Sequence, residues 1–338
     1  MLRNIRRTRW RRLAPFLPKP DGRQRPLAVA ALEDKIVQRA VVALLNAIYE
    51  EDFLGFSYGF RPGRGTHDAL DALYVGIHSK KVSFILDADI QSFFDEVNQE
   101  WLIRFLEHRI GDRRIIRLIR KWLKAGVMEN GVVTVSERGT GQGSVISPLL
   151  ANIYLHYVLD LWANRWRQRE TTGDMIIVRY ADDFIVGFQH ESDARRFLDE
   201  MRERLKKFAL TLHPEKTRFI EFGRFAAERR KRRGLGKPET FNFLGFTFIC
   251  GKTRAEKFQI KRRTRRDRMQ RSSRRSKRRC GGACTSRSPH RGNGWHGSYA
   301  ATSTTTPCRP MPMHCMCSGT MSPTSGDERC GDVARRIG

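Results

Sequence analysis

The spacing of apolar positions along the chain predicts a mixed fold of strands and helices. Short runs of β-branched and aromatic residues are typical of strands, and they occur at 82–86, 176–178, 184–186, 219–222 and 240–250. Longer stretches carry apolar residues three and four positions apart, which predicts amphipathic helices. These helices begin near residues 34, 99, 147 and 192, and we expect the second to be interrupted near Gly111-Asp112.

Turn and cap residues mark the boundaries of these predicted elements. Pro20-Asp21-Gly22 lies between two extended segments and predicts a hairpin. The five basic residues at 229–233 are expected to form a loop. Polar residues that precede the apolar stripes are candidates for the N-terminal caps of helices, and they are Asp34, Thr66, Ser147 and Ser192. For Asp34 the alternative is a favourable interaction with the N-terminal helix dipole.

The most unusual polar residues are carboxylates at the ends of strands. Asp182 and Asp183 occupy the turn of the hairpin predicted at 176–188, and Asp87 and Asp89 follow the strand at 82–86, where alternation places both on one face. Adjacent carboxylates repel each other, so a divalent cation is a candidate partner. Taken alone, the pair at 182–183 is also typical of an Asp-rich turn.

The net charge of the chain indicates the chemical class of its binding partner. The chain of 338 residues has 64 Lys and Arg against 36 Asp and Glu, a formal net charge of +28. Such an excess indicates a polyanionic partner, with nucleic acid first and an anionic membrane second. There is no apolar run of about 18 residues and no apolar signal-peptide core. We therefore expect a cytoplasmic protein, associated with the nucleoid or with RNA, and no membrane.

Cysteine placement argues against a disulfide framework. Only Cys250 precedes residue 270, and the other six cysteines follow it. A zinc site at Cys280-x3-Cys284 and Cys315-x-Cys317 is a weaker alternative because the spacing is irregular. Carboxylates at two strand ends, together with the basic surface, are instead the layout that two divalent ions need for phosphoryl transfer. This combination suggests a nucleic-acid polymerase.

Ordered motifs along the chain resemble the reverse transcriptase/maturase proteins of bacterial group II introns. The resemblance covers about residues 15–270. Its motifs are PKPDGRQRPL at 18–27, SYGFRPGRGTHDAL at 57–70, ILDADIQSFFDEV at 85–97, GTGQGSVISPLLANIYLH at 139–156, RYADDFIVGF at 179–188, HPEKT at 213–217 and FNFLGF at 241–246. One departure is Gly141, where the family has proline.

The resemblance implies an α+β, right-hand polymerase fold with fingers, an antiparallel palm sheet and helices. It implies that Asp89, Asp182 and Asp183 are catalytic and, with the main chain of Ile90, bind two Mg²⁺ ions, for which Mn²⁺ is an alternative. The implied nucleotide-binding residues are Lys19, Arg25, Ile90, Phe94, Gln142 and Lys216, with Phe94 excluding a 2′-hydroxyl. On spacing alone, Lys19 and Arg25 are a solvated surface pair. Candidate nucleic-acid contacts are Arg61, Arg64, Arg230 and Arg232.

The implied reaction is RNA-templated transfer of deoxynucleotides to a DNA primer, with group II intron RNA as a further partner. The alternatives are a non-enzymatic RNA-binding splicing cofactor and an inactive remnant. Cleavage of DNA is not expected because no HNH-type cluster occurs in the body of the chain.

We expect a basic arm at 1–14, fingers and palm at 15–250, and the start of a basic thumb at 251–270. The family's further N-terminal segment is expected to be missing. Residues 271–338 contain no Leu or Phe. Reading them from Trp295 with a one-base shift gives thumb-like sequence when suitable third bases are chosen, so we expect a frameshift near residue 270 and an absent or disrupted thumb. A native disordered basic extension is the alternative.

Overall fold

The computed structural model describes residues 13–18, 24–28, 30–125, 127–129, 132–134, 138–140, 143–267 and 269–270. The helices are α1 Leu32–Asp52, α2 Thr66–Ser79, α3 Phe93–Glu96, α4 Gln99–Arg109, α5 Arg113–Leu123, α6 Ser147–Leu155, α7 Leu161–Arg169, α8 Glu191–Lys207 and α9 Ala226–Arg232. The strands are β1 Leu13–Pro18, β2 Gln24–Ala28, β3 Phe84–Asp89, β4 Val127–Glu129, β5 Val132–Thr134, β6 Met175–Tyr180, β7 Asp183–Phe188, β8 Arg218–Glu221, β9 Phe241–Phe243, β10 Phe246–Lys252 and β11 Phe258–Thr264.

A four-stranded antiparallel sheet is the centre of the fold. Its strand order is β6-β7-β3-β8, with β3 paired to β7 on one side and to β8 on the other. The hairpin predicted at 176–188 is confirmed as β6 and β7. The hairpin predicted around 20–22 is confirmed as the antiparallel pair of β1 and β2. The mixed α+β expectation therefore holds for the described part of the chain.

Helices and a second sheet cover the two faces of the central sheet. On one face, Leu86 and Val186 belong to a large apolar cluster that also contains buried residues of α1, α4, α6 and α8. On the other face, Ile85 and Ile185 pack with α2 and with the three-stranded sheet β11-β10-β9. Because strand side chains alternate between faces, burial on both sides explains the continuous apolar runs that the sequence shows here.

Two segments differ from their expected conformation. The basic residues 229–233, expected as a loop, form most of α9 and its C-terminal cap. Residues 258–264 lie in the region expected to begin a thumb, and they form β11, which pairs with β10. The expected boundary of a thumb domain stays a prediction, and residues 271–338 lie outside the described residues.

Helix starts follow the apolar pattern more closely than the candidate caps. The break near residue 111 is confirmed, since α4 and α5 are separate and their caps Asn98 and Asp112 accept backbone hydrogen bonds through their side chains. The four residues expected as caps were wrong as caps, because each lies inside the helix it was expected to precede. The residues at those cap positions are Ala31, Gly65, Ile146 and His190. Asp34 lies in the first turn of α1, and Ser147 donates a hydrogen bond to the carbonyl of Thr140.

Candidate active site

Strand pairing brings together carboxylates that are far apart in the sequence. In the register of β3 and β7, Asp89 lies opposite Asp183, directly beyond the pair of Ala88 and Phe184. Asp182 belongs to the two-residue turn between β6 and β7, and that turn is closed by the pairing of Tyr180 with Asp183. The structure therefore places the three predicted catalytic aspartates at one end of the central sheet.

The negative charges of these carboxylates repel one another. Burial, followed by the negative charges of Asp182 and Asp89, raises the pKa of Asp183 to about 7. Solvent reaches Asp183, and water weakens both the burial contribution and the repulsion among the carboxylates without reversing the direction of the shift. Burial also raises the pKa of Asp87 to about 7, with Asp183 and Asp89 adding to the shift and Arg218 opposing it. A cation at this end of the sheet relieves the repulsion.

One such cation belongs to the chain itself. The Lys216 ammonium contacts a carboxylate oxygen of Asp89 at 2.5 Å, although the lysine side chain is 58% exposed. The loop that carries it is held at the site, because the His213 amide donates to the Asp89 carbonyl at 2.8 Å and the Thr217 amide donates to the His213 carbonyl. The sequence assigned Lys216 to the nucleotide, and the structure places it beside the carboxylates.

The donor set suits a hard divalent cation, although it is not arranged around one. Within the described residues, no group of three His, Cys, Asp or Glu side chains has a geometry that would hold a metal ion. Carboxylate oxygens are nevertheless the ligands that Mg²⁺ prefers, and Asp89 lies opposite Asp183 in the register of β3 and β7. The assignment of individual metal ligands is therefore a matter for proposal.

Residues that follow Asp89 face the same end of the sheet. Ile90 forms an isolated antiparallel bridge with Leu212, and the hydrogen bonds of that bridge use the Asp89 carbonyl and the Gln91 amide. Because backbone groups alternate in direction along a strand, the N–H and C=O groups of Ile90 are left on the side of β7. This orientation is compatible with the main-chain role predicted for Ile90.

The aromatic ring of Phe60 lies beside the predicted sugar-binding residue Phe94. Phe94 is half-buried, and Phe60 approaches it edge-on with ring centroids 6.5 Å apart. Phe60 also lies 6.5 Å from the Tyr180 ring, is 46% exposed and has a positive φ of 58°. A bulky residue with positive φ is strained, and such strain often occurs at functional sites. The sequence did not single out Phe60.

The glycine-rich turn approaches the same aromatic pair. The Thr140 amide donates to the Phe94 carbonyl at 3.0 Å. Gly139 has φ of +83°, and a Cβ there would lie 2.9 Å from that carbonyl, so glycine is needed for the approach. The predicted nucleotide contacts Lys19 and Gln142 lie outside the described residues. Arg25 belongs to β2, and its side chain also lies outside the description.

Arg179 is the main structural residue that the sequence interpretation missed. Its side chain is fully buried, and all five of its N–H donors have acceptors. Two bonds of 2.7 and 2.6 Å go to the buried carboxylate of Asp160. The other three acceptors are Asn152 Oδ1 at 3.1 Å, Ser57 Oγ at 2.6 Å and the Ala181 carbonyl at 2.9 Å. The last bond ties Arg179 directly to the turn that carries Asp182.

The ion-pair partner of Arg179 is Asp160, which lies at the end of an irregular helical turn. Between α6 and α7, His156–Asp160 form a π-helix, and Asp160 at its end is fully buried. Single π-turns inside longer helices are frequent at functional sites. The apolar stripe of 147–162 predicted one regular helix, so the sequence gave no sign of this turn. A buried arginine between Val178 and Tyr180 was the available signal, because a charge in an apolar strand requires a partner.

The loop before α2 closes over the aspartate turn. Arg179 exchanges backbone hydrogen bonds of 2.9 Å with Phe56 and Tyr58. The Gly59 carbonyl accepts a bond from the Asn152 side chain, and a Cβ on Gly59 would lie 2.4 Å from the Ala181 nitrogen. The conformation of the turn, in which Ala181 has a positive φ of 57°, therefore depends on a glycine packed against it.

Gly59→Ala is expected to lower the free energy of unfolding by about 1–3 kcal/mol, because the added methyl overlaps backbone atoms that cannot move independently. Urea denaturation of the purified variant measures this change. Gly55→Ala in the same loop is the control, since a Cβ there meets nothing within 4 Å. Equal stability of the two variants would contradict the close approach.

Comparison with known proteins identifies the family. The family model described as reverse transcriptase (RNA-dependent DNA polymerase) matches residues 17–248, a span that contains the three aspartates and the Arg179 network. The chain belongs to the reverse transcriptase family. Its fold is therefore the fingers and palm of that family, as the sequence predicted.

Relatives connect this reverse transcriptase chain to intron-encoded proteins. Protein YkfC of Escherichia coli strain K12 is 32% identical over 65% of this chain and 67% of its own length. The group II intron-encoded protein LtrA of Lactococcus lactis subsp. cremoris is 39% identical over 41% of this chain. The chain thus spans about two thirds of YkfC, and its match to LtrA covers 23% of that protein.

Solved structures agree on the fold. The apo telomerase of Candida tropicalis, truncated from its C-terminal domain, aligns with a TM-score of 0.54 over 74% of this chain and 54% of that one. Sequence identity is 15%, so the likeness concerns the fold alone. In the described part of the chain, no helix is both long and apolar enough to cross a membrane.

The arginines predicted to contact nucleic acid differ in their environments. Arg61 is 6% exposed, binds Glu50 at 2.8 Å and donates to the Leu54 and Ser57 carbonyls. These bonds hold the Arg61 guanidinium inside the fold, so its burial gives no support to a contact with nucleic acid, and that contact stays a prediction.

The other three predicted contacts are partly available. Arg64 lies over Tyr58 and donates to the Gly55 carbonyl. Arg230 pairs with Glu239 and is 16% exposed, whereas Arg232 is 74% exposed and pairs with Glu228 in the same helix. Contact with nucleic acid stays a prediction for these three residues.

Proposed function

We propose that this chain is the RNA-directed DNA polymerase of a bacterial group II intron. The observation that carries the proposal is the pairing of Asp89 with Asp183 beside Asp182 in the β6–β7 turn. Membership of the reverse transcriptase family and the match to LtrA support it. The substrates are deoxynucleoside triphosphates, an RNA template and a DNA primer.

Asp89, Asp182 and Asp183 are proposed to hold two Mg²⁺ ions together with the main chain of Ile90, and Mn²⁺ is an alternative. When bound, such ions lower the pKa of an attacking hydroxyl and stabilise a leaving pyrophosphate. The mutual repulsion of the carboxylates supports this role, since it disfavours three bare charges at one place. Lys216 pairs with Asp89 in the free chain, and we propose that it contacts the nucleotide phosphates when substrate binds.

The remaining nucleotide contacts are assigned by motif. Phe94 is proposed to pack under the incoming sugar and exclude a 2′-hydroxyl, and its contact with Phe60 supports a fixed ring position. Lys19 and Arg25 are proposed to hold the triphosphate. Gln142 is proposed to lie beside the nucleotide and template pair, since the turn that leads to it packs on the Phe94 backbone.

Intron RNA is the second proposed partner, and the net charge of +28 supports a polyanion. Promotion of intron splicing is proposed as an activity of the intact family member, in the cytoplasm. Sequencing the gene tests the frameshift proposed near residue 270, because a shifted frame must encode thumb-like helices there.

A primer-extension assay tests the polymerase. Purified protein is given poly(rA)/oligo(dT), dTTP and Mg²⁺, with Asp182→Ala as the control, and the expected result is incorporation that the control lacks. Equal background in both proteins, together with retention of intron RNA on a filter, would instead favour a non-enzymatic splicing cofactor. Background without RNA retention would indicate an inactive remnant.

A further inference from the structure

Helix α5 carries a row of basic side chains that none of these roles uses. We define the α5 stripe as Arg113, Arg117, Lys121 and Lys124, all of which are exposed. Their spacing of four, four and three residues places them within about 80° of arc along about 17 Å of helix. The stripe is therefore a continuous cationic surface rather than a set of scattered charges.

Within the described part of the chain, the stripe has no acidic partners, unlike the basic residues beside it. Arg114 pairs with Asp112 at 2.9 Å, and Arg120 pairs with Glu107 at 2.6 Å. The four stripe residues form no ion pair or hydrogen bond with a described side chain. The charges of the two flanking arginines are therefore paired, whereas the charges of the four stripe residues have no such partner among the described side chains.

Helix stability explains only the C-terminal half of this arrangement, because Lys121 lies in the last turn and Lys124 at the C-cap, where the helix dipole favours cations. The α5 sequence RRIIRLIRKWL contains no acidic residue, and its first turn carries arginines where the helix dipole favours negative charge. Among the described residues, Arg113 has no acidic side chain paired with it that would offset this unfavourable position. A helix whose surface served only solubility would gain from alternating charges, as in α8, where Arg195 and Arg202 pair with acids of the same helix.

The stripe is held on a rigid support. The opposite face of α5 is buried through Ile116, Ile119 and Trp122, which belong to the large apolar cluster. None of the exposed large apolar side chains of the described residues lies on α5. A helix that inserts into a membrane surface needs such an apolar face toward the lipid, so the observations favour a purely electrostatic ligand.

We propose that the α5 stripe binds the phosphate backbone of RNA outside the primer–template held at the carboxylates. This proposal rests on the proposed function and extends it to a second RNA-binding surface. A templating or intron RNA extends beyond the site of nucleotide addition, so further phosphates are available for contact. Four cations that have no ion-pair partner among the described side chains, on one rigid face, match the sequence-independent, salt-sensitive mode in which lysine and arginine contact phosphates.

The salt dependence of RNA binding tests the proposal. A variant with Arg113→Gln, Arg117→Gln, Lys121→Gln and Lys124→Gln is compared with wild type for binding of a structured RNA over a range of KCl concentrations. The slope of log K against log salt is expected to become less steep by about 3 to 4 for duplex contacts, because each phosphate contact releases counterions.

The matched control is Arg114→Gln with Arg120→Gln, which alters the same helix but removes cations that are already paired. Its slope is expected to change by less than about 1. Circular dichroism of both variants checks that the helix content is unchanged. Equal slopes for the two variants, or an unchanged slope for the stripe variant, would overturn the proposal. Loss of binding to anionic lipid vesicles with unchanged RNA binding would assign the stripe to a membrane instead.

A polymerisation assay distinguishes failure of the stripe proposal from failure of the proposed polymerase function. With poly(rA)/oligo(dT) at saturating concentration, the stripe variant is expected to keep the kcat of wild type, while its KM for a long structured template rises. If wild type incorporates no dTTP, the proposed function fails, and the slope experiment still decides whether the stripe binds RNA. If wild type is active and the stripe variant keeps both slope and KM, the proposal for the stripe alone fails.

Discussion

Asp182→Asn is expected to reduce dTTP incorporation by about a thousandfold or more, the scale on which loss of a group that stabilises transition-state charge acts. The substitution keeps the shape of the side chain and removes its charge beside Asp89 and Asp183. Because those carboxylates repel Asp182, the folded state loses a repulsive contact, and the melting temperature is expected to stay equal or rise. Single-turnover primer extension and thermal unfolding measure the two effects.

Asp199→Asn is the control for this experiment. Asp199 lies on α8, its side chain is 74% exposed, and it pairs only with nearby Arg202 among the described residues. The control is expected to retain wild-type incorporation, since exposed ion pairs contribute little to stability. Retention of more than a tenth of wild-type incorporation by Asp182→Asn would count against a catalytic role for the turn. A large fall in melting temperature that accompanies the loss of incorporation would also count against it, because unfolding would then explain the loss.

Local patterns were sufficient to predict the strands that carry the carboxylates. Apolar runs on each side of the turn predicted β6 and β7, and alternation placed Asp87 and Asp89 on one face of β3. The pairing of Asp89 with Asp183 was not predictable in this way, because register between distant strands depends on tertiary packing. The ordered motifs supplied that information through the family resemblance.

Errors in the sequence interpretation have a common physical origin. The candidate caps lie one to three positions past the observed caps, and the polarity of a residue does not fix a helix start to that precision. Arg61 seemed to be an exposed contact in a Gly- and Pro-rich loop, but its partner Glu50 comes from the end of α1. Periodicity of the sequence reveals neither the cap position of a helix nor the ion-pair partner of a loop arginine.

The π-helix illustrates the same limit at the site itself. An apolar stripe across 147–162 is compatible with a regular helix, and one inserted residue changes the direction of every later side chain. That change buries Asp160 against Arg179. The sequence predicted the position of the carboxylates at the turn and missed the residues that hold the turn in place.

Arg179→Met is expected to lower the free energy of unfolding by about 3–5 kcal/mol, because it leaves the buried Asp160 charge without a partner. The Ala181 carbonyl and Ser57 hydroxyl lose their donors at the same time. Urea denaturation at neutral pH measures the change. Incorporation assays on this variant alone would not distinguish an unfolded protein from a misplaced catalytic turn.

The double variant Arg179→Met with Asp160→Leu separates stability from positioning. Replacement of a buried ion pair by apolar residues of similar size is often neutral or stabilising, so most of the lost unfolding free energy is expected to return. Polymerisation is not expected to return, since no side chain then donates to Ala181 and fixes the turn that carries Asp182. The expected signature is a near-native melting temperature with a low kcat and an unchanged KM for dTTP.

Arg179→Lys completes the series. Lysine keeps the positive charge for Asp160, but three donors on a flexible stem cannot replace the five of the guanidinium fork. Intermediate stability and partial kcat are therefore expected. If the double variant polymerises with the kcat of wild type, Arg179 serves the fold alone, and the conformation of the aspartate turn is set by the strands and by Gly59.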